Sequence, residues 1–224
     1  MCDKTIIITA GGIGKRMGGD LPKQFLNIAG KPILFHTINC FYNFDNHAQI
    51  LVTLPANWKS YWNELCEKHG FTIPHIVVSG GEERYHSIQL ALVQAKGKYI
   101  AVHDGVRPLV SLNTIARSFD SAKEFGTGIP VLPIKDSLRN ITNSTSVAVN
   151  RTNYRIVQTP QIFERNILLN AYNRAFHSGI TDDASLVEES GMKIHLVEGN
   201  EENIKITTQL DLNFCEFLIR QRNQ

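Results

Sequence analysis

Four glycines and the cations Lys15 and Arg16 crowd the thirteen residues Ile6 to Gly18, and Lys23 follows in Leu21-Pro22-Lys23-Gln24. Glycine lets backbone N–H groups approach a ligand without a Cβ in the way. Backbone donors flanked by Lys and Arg suit a polyphosphate. The β-branched run Ile6-Ile7-Ile8 before them reads as a buried strand. The cradle would then sit at the carboxyl end of a first strand, where open α/β sheets bind ligands. A tight turn beside a solvated basic face would use the same residues. Two commoner phosphate loops are excluded. No glycine is followed by Lys-Ser or Lys-Thr, as a Walker loop requires, and Met17 stands where a dinucleotide fingerprint needs Gly or Ala.

Four more clusters follow predicted strands. Gly80 to Ser87 offers glycines for close approach to a flat ligand such as a base, with Ser87 as a hydrogen-bonding hydroxyl; a plain helix N-terminus with Glu82 and Glu83 on its dipole reads equally well. In His103-Asp104-Gly105-Val106-Arg107-Pro108, Asp104 can ligate Mg²⁺, which takes one or two carboxylates and fills its shell with water and phosphate oxygens. Arg107 can hold a second anion, or pair with Asp104 to pin the loop. His103 reads as a loop-orienting group. Arg151 with Gln158-Thr159-Pro160-Gln161 forms the fourth cluster. Thr181-Asp182-Asp183 with Lys205, between Ile204 and Ile206, forms the fifth. Thr181 and the aspartates also fit an N-cap and first helical turn. No Gly-x-Ser-x-Gly elbow and no His-Glu-x-x-His occurs. Cations, glycines and one Asp fit chemistry at phosphorus done by positioning and charge neutralisation.

The elements that must carry these clusters alternate. Strands are predicted at Gln49 to Leu54, Ile76 to Val78, Tyr99 to Val102, Gly128 to Leu132 and Lys193 to Val197. Helices are predicted at Pro32 to Tyr42, Trp58 to His69, Ile88 to Leu92, Leu112 to Phe125, Glu164 to His177, Ala184 to Ser190 and Leu210 to Arg220. This rhythm argues for an α/β, three-layer sandwich with a mainly parallel sheet. It breaks between Ser137 and Gln158, where a polar cluster between β-prone pieces predicts a hairpin-like arm, either a surface excursion or a reach towards a second subunit.

With 224 residues, 42% hydrophobic and 20% charged, the chain reads as one soluble domain, residues 1–224. A net charge of +2 gives no nucleic-acid footprint. Cys2, Cys40, Cys66 and Cys215 are scattered and read as reduced thiols. With no leader-like segment and no apolar run near 18 residues, a cytoplasmic protein off the membrane is expected.

Together these segments resemble the 2-C-methyl-D-erythritol 4-phosphate cytidylyltransferases. The resemblance rests on Ala10 to Met17, Leu21 to Gln24, Gly80 to Ser87, His103 to Pro108, Gln158 to Gln161, Thr181 to Ser185, and Glu198-Gly199 with Glu202 to Thr207. It implies a Rossmann-like nucleotidyltransferase fold with a mixed, mainly parallel sheet and a protruding β-arm. It also implies transfer of CMP from CTP to the alcohol phosphate, with Mg²⁺, in a homodimer joined through the 137–158 arm. By the same resemblance Arg16, Lys23 and Lys205 would be catalytic. Ala10, Gly11, Gly12, Gly14, Gly81, Glu82 and Ser87 would bind the nucleotide. Asp104 would bind the metal, and Asp104, Arg107, Ser137, Arg151, Thr159 and Thr181 the acceptor. Glu82 stands where Asp is frequent in that family, and Ser137 where Thr is. A ribitol 5-phosphate cytidylyltransferase is the nearest alternative. A nucleotide-binding regulatory module would be expected to lose the cations that are present here.

Overall fold

The structure is a computed structural model, described here for residues 3–12, 21–143 and 145–222. In chain order the strands are β1 (Lys4–Thr9), β2 (Asn27–Ile28), β3 (Lys31–Pro32), β4 (Gln49–Leu54), β5 (Ile76–Ser79), β6 (Tyr99–Asp104), β7 (Thr127–Pro133), β8 (Leu138–Thr142), β9 (Thr145–Val149), β10 (Arg155–Val157), β11 (Gln161–Glu164) and β12 (Leu196–Glu198). The helices are α1 (Ile33–Phe44), α2 (Lys59–Lys68), α3 (Arg84–Leu92), α4 (Leu112–Phe125), α5 (Arg165–Tyr172), α6 (Asp183–Glu189) and α7 (Gln209–Arg222).

β1 is the centre because its apolar run is buried on both faces. Ile6 and Ile8 point into a core with α1, α2 and α4, whereas Ile7 points into a second core with α3, α5 and α6. That period-two split makes the three layers. β1 pairs in parallel with β4 and β6, and β4 with β5. β11 enters antiparallel between β6 and β7, and β12 pairs in parallel with β7. The sheet is thus mixed and mainly parallel. A third, smaller cluster seats α7 on Ile28, Ile33, Leu109 and Ile206. No described helix is long and apolar enough to cross a membrane.

Most elements lie where the sequence puts them, and α4 matches end to end. Its cap explains why: Ser111 accepts from the Thr114 N–H at 3.0 Å, and Gly126 closes the helix at φ 83°. Three expectations need correction. Glu164, expected to open a helix, belongs instead to β11, because its backbone pairs opposite Tyr99. The helix after it stops at Tyr172, whose carbonyl accepts from the Tyr85 hydroxyl at 3.0 Å. The strand expected at Lys193 to Val197 is regular only from Leu196. Before it, Thr127 Oγ1 replaces ladder bonds, accepting from His195 N–H at 2.9 Å and donating to the Lys193 carbonyl at 3.2 Å. In the 137–158 stretch only β8 and β9 form the separate hairpin; β10 rejoins β7.

α4 lies so close to β7 that a Cβ on Gly128 would sit 2.0 Å from the Ser118 carbonyl oxygen. Gly128→Ala should therefore cost about 1–3 kcal/mol through forced overpacking, measured as a lower urea midpoint at unchanged slope. A midpoint equal to wild type would mean that α4 can back away freely.

Candidate active site

The register of the central strands sets the site. Thr9 lies opposite Asp104, so the loops leaving β1 and β6 emerge side by side. Ala10 N–H donates to the Thr53 carbonyl at 3.0 Å and Gly80 N–H to the Leu54 carbonyl at 2.8 Å, which ties both glycine segments to the end of β4. Between them opens a cleft of about 440 Å³, within the range of small-molecule sites. Ala10, Gly11, Gly12, Lys23, Gly81, Glu82, Ser87, Asp104 and Lys205 line it, joined by Thr9, Gln24, Glu83, Arg84 and Val106. Gly14 and Arg16 lie outside the described residues.

Each wall has its own support. Buried Gln24 donates from Nε2 to the Ala10 carbonyl at 2.6 Å, which fixes the segment carrying Lys23 against β1. Lys23 Nζ donates to the Ile206 carbonyl at 3.2 Å, linking that segment to the one bearing Lys205. Gly81 approaches α3 so closely that a Cβ would lie 2.5 Å from His86 Cβ. The Ser87 hydroxyl accepts from Gly81 N–H and donates to the Glu83 carbonyl, both at 3.1 Å. Its only proton thus shapes the loop, and only lone-pair capacity remains for a ligand.

Asp104 is the electrostatic centre, with 6% of its surface exposed. Oδ2 accepts from Arg107 Nε at 3.0 Å and lies 3.2 Å from Lys205 Nζ; Oδ1 lies 3.8 Å from Arg84 Nε. Burial pushes this carboxyl up, but Arg84, Lys205 and Arg107 together hold it well below the usual carboxylate range. Arg84 in turn grips Asp183 with both Nη atoms, at 3.0 and 2.6 Å. Burial works against the Arg84 charge, and Asp183, then Asp104, hold its pKa above the ordinary value. Beneath Asp104, His103 Nε2 faces the Arg107 carbonyl at 3.0 Å and therefore carries the ring proton; Nδ1 accepts from Thr159 Oγ1 at 3.1 Å. Thr159 Oγ1 accepts the Asp104 N–H at 3.1 Å. Burial drives His103 down to about 4, so the ring is neutral and orients the loop.

Four predicted residues stand away from the cleft, and one is behind it. Arg107 does not line the cleft: its Nε bonds Asp104 and its Nη1 the Asn203 carbonyl at 2.8 Å. Thr159 is buried under Asp104 as a support and makes no wall. Thr181 lines a neighbouring cavity of about 290 Å³ that shares Glu83 and Arg84 with the cleft. Ser137 and Arg151 are exposed on the arm segment, Arg151 bonding the Lys135 carbonyl. The N-cap of α6 is Asp182, with a capping box to Ser185, rather than Thr181.

The sequence clusters contain Arg84 and Gln24 without a role, and Asp183 only as an acid of the first turn of α6, where it lies. A signal existed for Arg84: a cation in the first turn of α3 opposes the helix dipole, so it demands a nearby carboxylate. Among the described residues no three His, Cys, Asp or Glu side chains gather as a metal cage. Asp104 Oδ1, which has no hydrogen-bond donor within reach among the described residues, still fits Mg²⁺ held by one carboxylate plus phosphate oxygens.

The chain is similar to known proteins along nearly its whole length. The family model described as 2-C-methyl-D-erythritol 4-phosphate cytidylyltransferase matches residues 4–221. The enzyme of that name from Bacteroides thetaiotaomicron is 49% identical over 218 residues, covering 96% of this chain and 99% of its own. Its Bacteroides fragilis counterpart is 48% identical over 221 residues, covering 98% and 100%. The crystal structure of the Thermus thermophilus enzyme of that name superposes with a TM-score of 0.81 at 32% identity, covering 98% of this chain and all of that one.

His103 makes stability depend on pH. Its folded pKa of about 4 lies below the ordinary 6.5, so between those values the unfolded chain binds more protons and stability falls as pH falls. The full shift corresponds to about 3 kcal/mol. Asp104 acts in a lower window: its contribution is present above the unfolded carboxylate pKa and is lost below it. His36 and His75 are lowered too, so the comparison is with His103→Asn. That variant should show a flatter loss of unfolding free energy from pH 6.5 to 4. An unchanged slope would remove His103 as its source.

Proposed function

This chain belongs to the 2-C-methyl-D-erythritol 4-phosphate cytidylyltransferase family, and we propose that it transfers the CMP group of CTP to 2-C-methyl-D-erythritol 4-phosphate, releasing pyrophosphate, in isoprenoid precursor synthesis. One observation carries the reading at the level of the site: Lys23 and Lys205 line the same cleft as the backbone of Ala10 to Gly12 and of Gly81, beside Asp104. The relatives' names favour the methylerythritol acceptor over ribitol 5-phosphate.

The acceptor's phosphate oxygen forms a bond to the α-phosphorus of CTP while the bond from that phosphorus to the bridging oxygen breaks. Pyrophosphate leaves with the electron pair. A phosphate oxygen is already ionised near neutral pH, so no side chain has to remove a proton. The obstacle is repulsion between two polyanions, which fixed cations relieve at the transition state. Lys23 and Lys205 supply that charge from opposite segments, and Arg16, by the family resemblance, adds to it. The glycine backbone at Ala10 to Gly12 and at Gly81, with Glu82, frames the nucleotide. Asp104 Oδ1 would hold Mg²⁺, which when bound neutralises triphosphate charge. Arg107 and Thr159 act one step back, by holding Asp104.

The arm fits a homodimer contact. Ile141 and Val147 are 74% and 64% exposed on β8 and β9, a pattern that calls for a cover. In such a dimer Ser137, Arg151 and, within the chain, Thr181 would approach the acceptor.

Pyrophosphate release from CTP with each alcohol phosphate tests the reaction; faster turnover of ribitol 5-phosphate would overturn the acceptor. Lys23→Ala should lower kcat about 10²–10³-fold, the scale for losing one transition-state charge, and near-normal kcat would sink its role. The double variant Ile141→Asp/Val147→Asp should be monomeric by light scattering with an unchanged far-ultraviolet circular dichroism spectrum, its melting temperature falling by no more than the lost dimer linkage. A dimer that persists would place the interface elsewhere.

A further inference from the structure

The proposed chemistry leaves the buried Asp183 unused. It has no exposed surface and receives three donors: Arg84 Nη1 at 3.0 Å, Arg84 Nη2 at 2.6 Å and the Tyr172 hydroxyl at 2.6 Å. The turn that carries it is itself fixed. Gln161 donates from Nε2 to Asp182 at 2.7 Å and accepts the Ala184 N–H at 2.8 Å. Arg84 is therefore held from one side by a rigid carboxylate, and its Nε lies 3.8 Å from Asp104 Oδ1, outside hydrogen-bond range.

That gap is the informative distance. An Arg beside a carboxylate in a partly buried site closes to about 2.7–2.9 Å when nothing restrains it. Arg107 has done so on Oδ2 of the same carboxylate, at 3.0 Å. The two oxygens of Asp104 thus differ: Oδ2 is shared by Arg107 and Lys205, while Oδ1 has no donor in hydrogen-bond range among the described residues, on a carboxylate that lines the cleft.

We infer that Asp183 is a positioning residue that holds the Arg84 guanidinium away from Asp104, keeping Oδ1 open for a divalent cation arriving with the nucleotide. A carboxylate gripped by cations at both oxygens is a poor metal ligand; Asp183 prevents that state. This rests on the reading of Asp104 as the metal-holding residue, and the test separates the two.

The measurement is CTP affinity by calorimetry with and without Mg²⁺, expressed as a ratio, which cancels direct contacts between Arg84 and CTP. Asp104→Asn should bring the ratio close to one; if it does not, the metal reading of Asp104 fails. Given that it does, Asp183→Asn should reduce the wild-type ratio about tenfold, because Asn cannot hold both Nη donors and Arg84 closes on Oδ1. Adding Arg84→Ala to Asp183→Asn should restore the ratio to within about threefold of wild type, since the sites then couple. A merely structural Asp183 would leave the double variant as impaired as the single one. An unchanged ratio in Asp183→Asn, or no recovery in the double, overturns the inference. Should Asp183→Asn not fold, Arg84→Gln decides: it should retain a ratio at least equal to wild type, and a fall would be contrary.

Discussion

A single buried carboxylate organises this protein. Asp104 ends the central strand β6 and is reached by Arg84 from α3, Arg107 from its own loop and Lys205 from the segment before α7. A charge that far out of water is tolerable only with compensation, and removing a partner from a buried pair commonly costs 3–5 kcal/mol. The requirement works in both directions. Asp104 needs the cations to remain ionised, and Arg107 and Lys205, on segments with few regular bonds of their own, need Asp104 to be held in place. Residues 203–207 form no strand; Ile206 is anchored by burial and by its N–H on the Val106 carbonyl at 3.0 Å.

Three cations on one carboxylate leave a surplus, and the surplus is what a polyanion meets. Asp183 absorbs part of it through Arg84, and Arg107 is sealed beneath the loop. Lys205, with about half of its side chain exposed, keeps its ammonium at the cleft. Lys23 arrives from the opposite wall, its Nζ donating to the Ile206 backbone carbonyl. A neutral acceptor of this kind gives up its donor to an incoming phosphate at less cost than a carboxylate would.

What the sequence made legible follows from range. Runs such as Ile6-Ile7-Ile8 and the Ser111 and Gly126 caps of α4 are local signals, and the structure agrees with them. Glycine loops at strand ends identified most of the cleft for the same reason. The misses depend on partners far along the chain. The Arg107–Asp104 pair, three residues apart, was legible as one of two readings, but the partners that complete the support, Asn203 for Arg107 and Asp104 for Thr159, lie 96 and 55 residues away. β11 was missed since four residues after a cis proline, Thr159-Pro160, carry too little pattern to register as a strand.

That missed strand explains how distant walls share one geometry. Its leading residues each hold a different part of the site. Gln158 donates to the Asn200 carbonyl at 3.0 Å, steadying the segment that leads to Lys205. Thr159 joins Asp104 to His103. Gln161 fixes the turn before Asp183. These side chains are buried and bonded on both sides, so their positions follow the sheet and not the solvent-facing loops. An antiparallel strand in an otherwise parallel core is what lets one short segment cross beneath all three walls. The distances that matter around Asp104 are therefore set by register between β6 and β11, while the glycine loops above remain available to fit the ligand.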